Sequence, residues 1–176
     1  PMQPVETRRL VNDIYKMADF NFAEDEMPDK EMDFSVSVKG MGRFRANVYK
    51  QRGSFAAVLR YVPFVLPDAE TLGIPEAVMK LSKGKSGIVL VTGPAGIGKS
   101  TTLSCIIDKI NNERSGHIIT IEDPIEFLHK HGKCIISQRE INIDTESYID
   151  ALRAALRQSP DVILLGEMRD YETISV

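Results

Sequence analysis

Residues 93–100 combine glycine, lysine and serine in an arrangement that can hold a nucleoside triphosphate. They match the pattern G-x-x-x-x-G-K-[ST] at every fixed position. Glycines let the backbone curl so that N–H groups point at phosphate oxygens, and the N-terminus of the helix that follows adds unpaired donors and a positive dipole. In such a loop the lysine reaches the β- and γ-phosphates, and the Ser100 hydroxyl binds Mg²⁺. The predicted ligands are ATP and Mg²⁺, and the predicted binding residues are Gly93, Pro94, Ala95, Gly96, Ile97, Gly98, Lys99, Ser100 and Thr101.

The residues that flank this loop agree with the motif. An apolar run, 88–91, precedes the loop, and a helix-like stretch, 102–107, follows it. This is the strand–loop–helix order that a phosphate-binding loop requires. The alternative is a glycine-rich turn that merely ends a strand, and the context on both sides disfavours it.

Carboxylates follow two further apolar stretches, in residues 120–126 and 161–170. Both groups stand at the carboxyl end of a predicted buried strand, the edge where ligands bind in open α/β sheets. Transfer of a phosphoryl group to water needs a carboxylate that orients and deprotonates the water. We assign this role to Glu167, because four apolar residues lead up to it and Gly166 stands where a metal-binding Asp is usual. The alternative for Glu167 is an ordinary ion pair with Arg169.

The first acidic group allows two interpretations. Asp123 and Glu126 can act as further acids of a catalytic site. Alternatively, Asp123 is an N-cap, Pro124 occupies the first helical position and Glu126 completes a capping box, with the helix running on through Phe127 and Leu128. Both interpretations remain open on the residues alone.

Two weaker clusters have ordinary explanations. His129, His131 and Cys134 resemble a metal site, but a fourth ligand at a recognised spacing is missing, so a solvated loop is the preferred interpretation. Arg153 and Arg157 lie one helical turn apart, which is typical of a solvated or ion-paired helix face.

The composition excludes several classes of protein. Among 176 residues, 43% are hydrophobic and 27% charged, and the net charge of −3 offers no basic footprint for DNA or RNA. No apolar run is long enough to span a membrane, so we expect no direct membrane insertion. Cys105 and Cys134, the only cysteines, are expected to be reduced, buried thiols in a cytoplasmic protein.

Two segments of different character position these residues. The first, 1–66, is α+β: a helix is predicted over 7–18. Strict alternation over 33–39 and 43–49, followed after a second turn by the apolar stretch 55–59, predicts an antiparallel meander. The second, 67–176, is α/β. After a short helix over 76–82, strands are predicted at 86–91, 117–121, 134–136 and 162–165, with helices ending at 111 and spanning 147–158. Apolar strands that alternate with helices predict a mostly parallel sheet covered on both faces.

Four stretches together resemble the PilT-type retraction ATPases of type IV pili, within the secretion-type ATPases. They are GRFRANVYKQRGSFAAVLR (42–60), VTGPAGIGKSTTL (91–103), HIITIEDPIEFLH (117–129) and SPDVILLGEMRDYET (159–173). The resemblance covers the chain from about residue 33 onward. It implies a PAS-like N-terminal domain joined to a RecA-like ATPase core.

The resemblance also implies partners and roles. The family forms homo-hexameric rings in the cytoplasm, peripheral to the inner membrane, where they act on a pilus platform protein. By this resemblance Glu167 is the catalytic glutamate and Glu126 an acidic partner in the family's Asp box. Arginines of the N-terminal domain reach an ATP site, and Arg52 and Arg60 are the preferred matches among the local arginines.

The chain departs from the family pattern at several points. Ala95 and Ile97 replace the usual Thr and Ser of the loop, which leaves its backbone donors intact. The family's first strand, its His box and its later strands are missing. In the family's sheet, one of these later strands lies between the strand that precedes the P-loop and the strand that precedes Glu167. We therefore expect this chain to bind nucleotide without robust ATP turnover.

Three other functions compete. One is a pilus-assembly or type II secretion ATPase of the same superfamily. Another is a RecA-type motor on nucleic acid, which the acidic balance disfavours. The third is a non-hydrolysing regulatory module that binds ATP.

Overall fold

The computed structural model describes residues 3–23, 25–62, 65–168 and 170–176. The chain divides into two compact units, Pro1–Phe64 and Val65–Val176, a division two residues from the boundary expected from the prolines. Each unit has its own secondary structure and its own core.

The first unit is a helix followed by a three-stranded antiparallel sheet. Its elements are α1 (Pro4–Met17), β1 (Met32–Val38), β2 (Gly42–Gln51) and β3 (Ser54–Val62), paired in the order β1-β2-β3. The predicted helix and meander are confirmed. Arg52 and Gly53 both have positive φ angles, 49° and 76°, which suits the tight turn between two twisted antiparallel strands.

One face of this sheet builds the first core. The sheet contributes Phe34, Val36, Ala46, Val48 and Phe55, and α1 contributes Val11 and Tyr15. The Tyr15 ring stacks on Phe34 with centroids 5.2 Å apart. The alternation seen in the sequence therefore separates this core from a polar face, on which Asp33 and Arg45 form an ion pair.

The second unit is α/β and contains the following elements. They are α2 (Glu76–Met79) with a 3₁₀ turn (Lys80–Lys83), α3 (Lys99–Glu113), β4 (Gly116–Glu122), β5 (Cys134–Glu140), α4 (Tyr148–Ala155), β6 (Val162–Leu165) and α5 (Tyr171–Ser175). The strands form a parallel sheet in the order β5-β4-β6. The predicted parallel sheet is confirmed, whereas α5 lies after the last element that we predicted.

Helices cover both faces of the parallel sheet, as its apolar strands predict. On one face, Ile106, Ile107 and Ile110 of α3 pack with Ile118, Ile136 and Leu164. On the other, Ala151, Leu152 and Ala155 of α4 pack with Ile119 and Ile121. Since side chains alternate along a strand, the even-numbered residues of β4 face α3 and the odd-numbered ones face α4.

The strand predicted over residues 86–91 is wrong. In the part of the chain that the structure describes, these residues join no ladder, and the side chains of Ile88 and Leu90 are 84% and 63% exposed. The physical reason is the missing neighbour. Within the described residues the run pairs with neither of the edge strands, β5 and β6, and an apolar run becomes a stable strand only where another strand accepts its hydrogen bonds.

Within the described residues no helix is both long and apolar enough to cross a bilayer.

Candidate nucleotide-binding and hydrolysis site

Glycine conformations shape the loop that precedes α3. Gly93, Gly96 and Gly98 have φ angles of 151°, 80° and 97°, a region that side-chain-bearing residues rarely enter. A Cβ atom at Gly96 or Gly98 would meet nothing within 4 Å, so backbone conformation, not lack of space, demands glycine there. At Gly93 a Cβ would also come within 3.0 Å of the Ile97 side chain. Ile97 thus packs over the start of the loop.

The N-terminus of α3 has the donors that an anion needs. The helix begins at Lys99 with Gly98 as its N-cap, and no described side chain caps it, so the first-turn N–H groups are available to a ligand. The Lys99 ammonium donates to the carbonyl oxygens of Gly93 and Pro94, at 3.0 and 2.9 Å. Lys99 therefore bridges back over the loop, in the concavity where phosphate oxygens would take the place of these carbonyls.

Contacts at the other end of α3 show which edge of the sheet its N-terminus reaches. Near the helix end, the Asn111 Oδ1 accepts from the N–H of Cys134, the first residue of β5, at 3.3 Å. α3 has 15 residues, which rise about 21 Å, and the 7 residues of β5 span about 20 Å. The P-loop end of α3 therefore lies at the carboxyl edge of the sheet, where β4 and β6 end.

Polar side chains occupy this edge on the face that α3 covers. Thr120 and Glu122 continue the row begun by Ile118, and they pair in register with Gln138 and Glu140 of β5. Glu122 and Glu140 are 7% and 4% exposed. The α3 face of the sheet therefore changes from apolar at its amino end to acidic at the end that points towards the P-loop.

Glu122 is a buried carboxyl held by three donors. Burial raises the pKa of Glu122, and the hydrogen bonds from Thr120, from Gln138 and from the backbone of Glu126 act against this, while the nearby Glu126 charge raises the pKa further. The Thr120 hydroxyl donates to Glu122 Oε1 at 2.7 Å and the Gln138 amide at 3.4 Å. Since burial is the largest of these effects, Glu122 holds its proton to higher pH than an exposed glutamate.

Residues 123–133, the acidic loop, connect β4 to β5 and carry Asp123 and Glu126. The helix that a capping box would begin is absent from this fully described stretch, so the capping interpretation is wrong. The reason lies in β5, whose side chains bond the loop backbone: Glu140 Oε2 accepts from the Ile125 N–H at 3.1 Å, and Gln138 Nε2 donates to the Phe127 carbonyl at 2.9 Å. These bonds fix the loop in an irregular, non-helical path, and Asp123 is exposed while Glu126 is half-buried.

Glu167 follows β6 at the same edge of the sheet. Leu165 pairs with Ile121, and the Gly166 N–H donates to the Ile121 carbonyl at 2.8 Å. Glu167 is half-buried and engaged with neighbouring groups. Glu122 is the last residue of β4, and Glu167 follows the end of the neighbouring strand β6 by two residues. The ion-pair partner considered for Glu167, Arg169, lies outside the described residues.

The two preferred arginines lie on the first unit. Arg52 is exposed at the tip of the β2–β3 turn, and Arg60 is exposed on β3. Arg60 pairs directly with Arg45 of β2, so two like charges stand side by side on the polar face. Pairs of like charge at this spacing destabilise a sheet.

The remaining candidates have structural partners. His131 Nδ1 accepts from the Ile136 N–H at 3.1 Å, and burial lowers the pKa of His129. Cys134 is buried. Asp170 caps α5, since its Oδ1 accepts from the Thr173 N–H at 2.6 Å.

Sequence reasoning missed Glu122, Gln138 and Glu140 as members of this site. A usable signal existed for Glu122, because it directly ends the apolar run of β4 in the same manner as Glu167 follows β6. Gln138 and Glu140 carried no such signal, since their role depends on the register of β5 against β4.

The donors at this edge fit a magnesium ion that shares its ligands with a nucleotide. Among the described residues, no three His, Cys, Asp or Glu side chains are grouped to hold a metal by themselves. Mg²⁺ sites of nucleotide enzymes use one or two protein ligands and complete the shell with water and phosphate. The Ser100 hydroxyl in the first turn of α3 is a ligand of this kind.

Comparison with known proteins shows the family. Residues 2–176 match the family model described as Type II/IV secretion system protein, and the chain belongs to this family of secretion ATPases.

Its relatives include retraction ATPases. The chain is 45% identical, over 98% of its length, to the type IV pilus retraction ATPase PilT of Pseudomonas aeruginosa, and 42% identical, over 99%, to the type IV pilus ATPase PilU of the same organism. It covers 50% and 45% of those proteins. A crystal structure of the pilus retraction motor PilT with bound ADP superposes with a TM-score of 0.81 at 57% identity, over 84% of this chain and 43% of that one. The chain thus spans about half the length of these relatives.

Proposed function

We propose that the protein containing these residues is an ATP-hydrolysing motor that powers type IV pilus retraction and twitching motility. The observation that carries the proposal is the convergence at one sheet edge of an uncapped P-loop helix with the acidic residues that follow β4 and β6. The kinship with proteins named PilT and PilU supports the pilus as the site of action.

Each residue of the site has a role in this proposal. The backbone N–H groups of residues 93–101 bind the phosphates, and Lys99 exchanges the carbonyls of the loop for β- and γ-phosphate oxygens. Ser100 holds Mg²⁺, which when bound neutralises charge on the phosphates. Glu167 orients a water molecule and accepts its proton as the water oxygen attacks the γ-phosphorus, while the bond from that phosphorus to the β–γ bridging oxygen breaks and ADP leaves. Asp123 and Glu126 contribute carboxylates that accept hydrogen bonds from further water molecules, including those bound to Mg²⁺.

The two units correspond in this proposal to a PAS-like domain (1–66) and a RecA-like core (67–176). The working protein is a cytoplasmic homo-hexamer that docks on a platform protein of the inner membrane. Arg52 or Arg60 of one subunit reaches the nucleotide of another. The exposure of both side chains supports this, because an arginine that reaches another subunit must project from the surface of its own.

One experiment tests the hydrolytic part of the proposal. The complete gene product is assayed for Mg-ATPase activity and for oligomer mass, beside Glu167→Gln and the charge-matched control Glu172→Gln, which changes an exposed acid in α5. We expect a wild-type hexamer with turnover, a Glu167→Gln hexamer slowed by ~10²–10⁴-fold and a control close to wild type. If the wild-type protein bound nucleotide but did not hydrolyse it, the protein would instead be a non-hydrolysing module. If DNA stimulated its ATPase activity, it would be a nucleic-acid motor.

A second experiment tests the pilus role. Deletion of the gene is expected to leave pili on the cell surface while twitching motility is lost. Loss of the pili themselves would point to an assembly ATPase.

A further inference from the structure

The side-chain amide of Gln138, on β5, makes three hydrogen bonds at the acidic edge of the sheet. Its Oε1 accepts from the His129 N–H at 2.7 Å. Its Nε2 donates to the Phe127 carbonyl at 2.9 Å and to Glu122 Oε1 at 3.4 Å. One amide therefore contacts the backbone of the acidic loop at two points and the carboxyl at the end of β4.

These bonds take the place of regular secondary structure in the acidic loop. Parallel strands are usually joined through a helix, yet the loop between β4 and β5 has an irregular backbone. Gln138 bonds the backbone on both sides of Leu128, as a neighbouring strand would. The path of the loop around Phe127 thus depends on a side chain supplied by β5.

Glu126 belongs to the same set of bonds. It directly precedes Phe127, and its backbone N–H acts on Glu122 so as to lower the pKa of that carboxyl, which also accepts from Gln138. Loss of the Gln138 amide would therefore release the residue after Glu126 and remove one of the donors to its partner Glu122. The position of the Glu126 carboxylate at the sheet edge would change as a result.

We propose that Gln138 is a positioning residue for hydrolysis: it holds the acidic loop and Glu122 so that Glu126 faces the P-loop edge. The proposal deepens the proposed ATPase function and rests on it. Gln138 acts through Phe127, His129 and Glu122.

Asn111 provides a matched control from the same loop. Its side chain, 3% exposed, donates to the Lys130 carbonyl at 2.8 Å and accepts from the Gly132 and Cys134 N–H groups at 3.0 and 3.3 Å. Like Gln138 it is an amide with three hydrogen bonds, but these lie at the amino end of β5, away from the acids. Loss of Asn111 therefore weakens the loop without moving the part that carries Glu126.

The test compares Gln138→Met, Gln138→Glu and Asn111→Leu in the complete gene product. Steady-state kinetics give kcat and KM for Mg-ATP, and thermal unfolding gives Tm. We expect Gln138→Met to lower kcat by ~10- to 100-fold with KM changed less than about 2-fold, because the P-loop contacts remain. Asn111→Leu is expected to lower Tm at least as much while kcat falls less than about 3-fold.

Gln138→Glu guards against a variant that does not fold. It preserves size and the acceptor for the His129 N–H but removes the donors to Phe127 and Glu122, so we expect a folded protein with kcat lowered as in Gln138→Met. If the wild type is active and both Gln138 variants keep its kcat, the positioning role is overturned while the proposed ATPase function stands. The same holds if Asn111→Leu loses as much kcat as the Gln138 variants do. A wild type without Mg-ATPase activity overturns the proposed function, and this role with it.

Discussion

Gly166 lies against the backbone of Glu122, so closely that a Cβ atom at position 166 would stand 3.3 Å from the Glu122 Cα. The same atom would be 3.3 Å from the Tyr148 hydroxyl and 3.4 Å from the Ile121 carbonyl oxygen. This contact joins the two strand ends that lead to the acids of the site. It also leaves little room for a side chain at the position before Glu167.

Gly166→Ala should therefore destabilise the second unit. Overpacking against a backbone costs ~1–3 kcal/mol, and we expect a loss of free energy of unfolding in this range. Urea denaturation of the variant and the wild type measures it. A difference below ~0.5 kcal/mol would show that β6 and β4 separate easily, contrary to the contact described.

Glu122→Gln should change how stability depends on pH. Because burial raises the pKa of Glu122 above its ordinary value of 4.5, the folded protein keeps this proton at pH values where the unfolded chain has lost it. The resulting stabilisation is complete below pH 4.5 and is lost as the pH rises through the folded pKa. Glutamine keeps an acceptor for Thr120 and has no charge to bury.

The measurement is Tm against pH for the wild type, Glu122→Gln and the exposed control Glu172→Gln. We expect the Tm of Glu122→Gln minus the Tm of the wild type to increase as the pH rises from 4.5 towards neutrality. The control shows the effect of removing one exposed carboxylate. A flat difference for Glu122→Gln would mean that its carboxyl titrates as an exposed group.

Lys99→Ala should weaken nucleotide binding while leaving the fold unchanged. Hydrogen bonds to a charged partner contribute ~1.5–3 kcal/mol, so the Kd for Mg-ATP should rise by ~10- to 100-fold. The variant loses only bonds to two loop carbonyls, and its Tm should match the wild type. Fluorescence titration with a labelled nucleotide checks this beside Lys85→Ala, an exposed lysine outside the loop. Equal Kd values in both variants would contradict a phosphate role for Lys99.

Asn111→Leu should be strongly destabilising. The substitution leaves the Lys130 carbonyl and the Gly132 and Cys134 N–H groups without this partner. Of these the Cys134 N–H is buried, and a buried polar group left unpaired costs ~1–3 kcal/mol. We expect a loss of ~2–4 kcal/mol in denaturant unfolding. The control is Asn112→Leu, since Asn112 is an exposed neighbour on α3, and it should change stability by less than ~1 kcal/mol. Similar losses of stability in the two variants would argue against the role of Asn111 as an anchor.

Arg60→Ala should separate folding from hydrolysis. Removing one of two like charges that face each other on β2 and β3 should leave Tm unchanged or slightly higher. If Arg60 reaches a nucleotide in the assembled ring, turnover should fall by ~10³-fold or more. Arg52→Ala tests the other preferred arginine, and Arg9→Ala, exposed on α1, is the control. Full activity in both Arg52→Ala and Arg60→Ala would exclude these two residues.

Local patterns predicted much of the fold. The alternation in the first unit predicted which residues of β1 and β2 face the core, because side chains of a strand point alternately to its two faces. The positions of the glycines before α3 predicted a loop with positive φ angles, since only glycine enters that region without strain. The strand predicted from the apolar run at 88–91 was wrong, because this run has the composition of a strand but pairs with no other strand.

The amino-acid sequence by itself determined that a phosphate-binding loop precedes a helix, and that acids follow two buried strands. These features depend on chemistry and spacing within a few residues, so they can be read without knowing the neighbours. The tertiary structure alone decided that residues 123–133 are not helical, that Glu122 is buried and that Gln138 and Asn111 hold the acidic loop. Those outcomes depend on hydrogen bonds between groups far apart in the chain, and their register is settled only when β5 and α3 pack against β4.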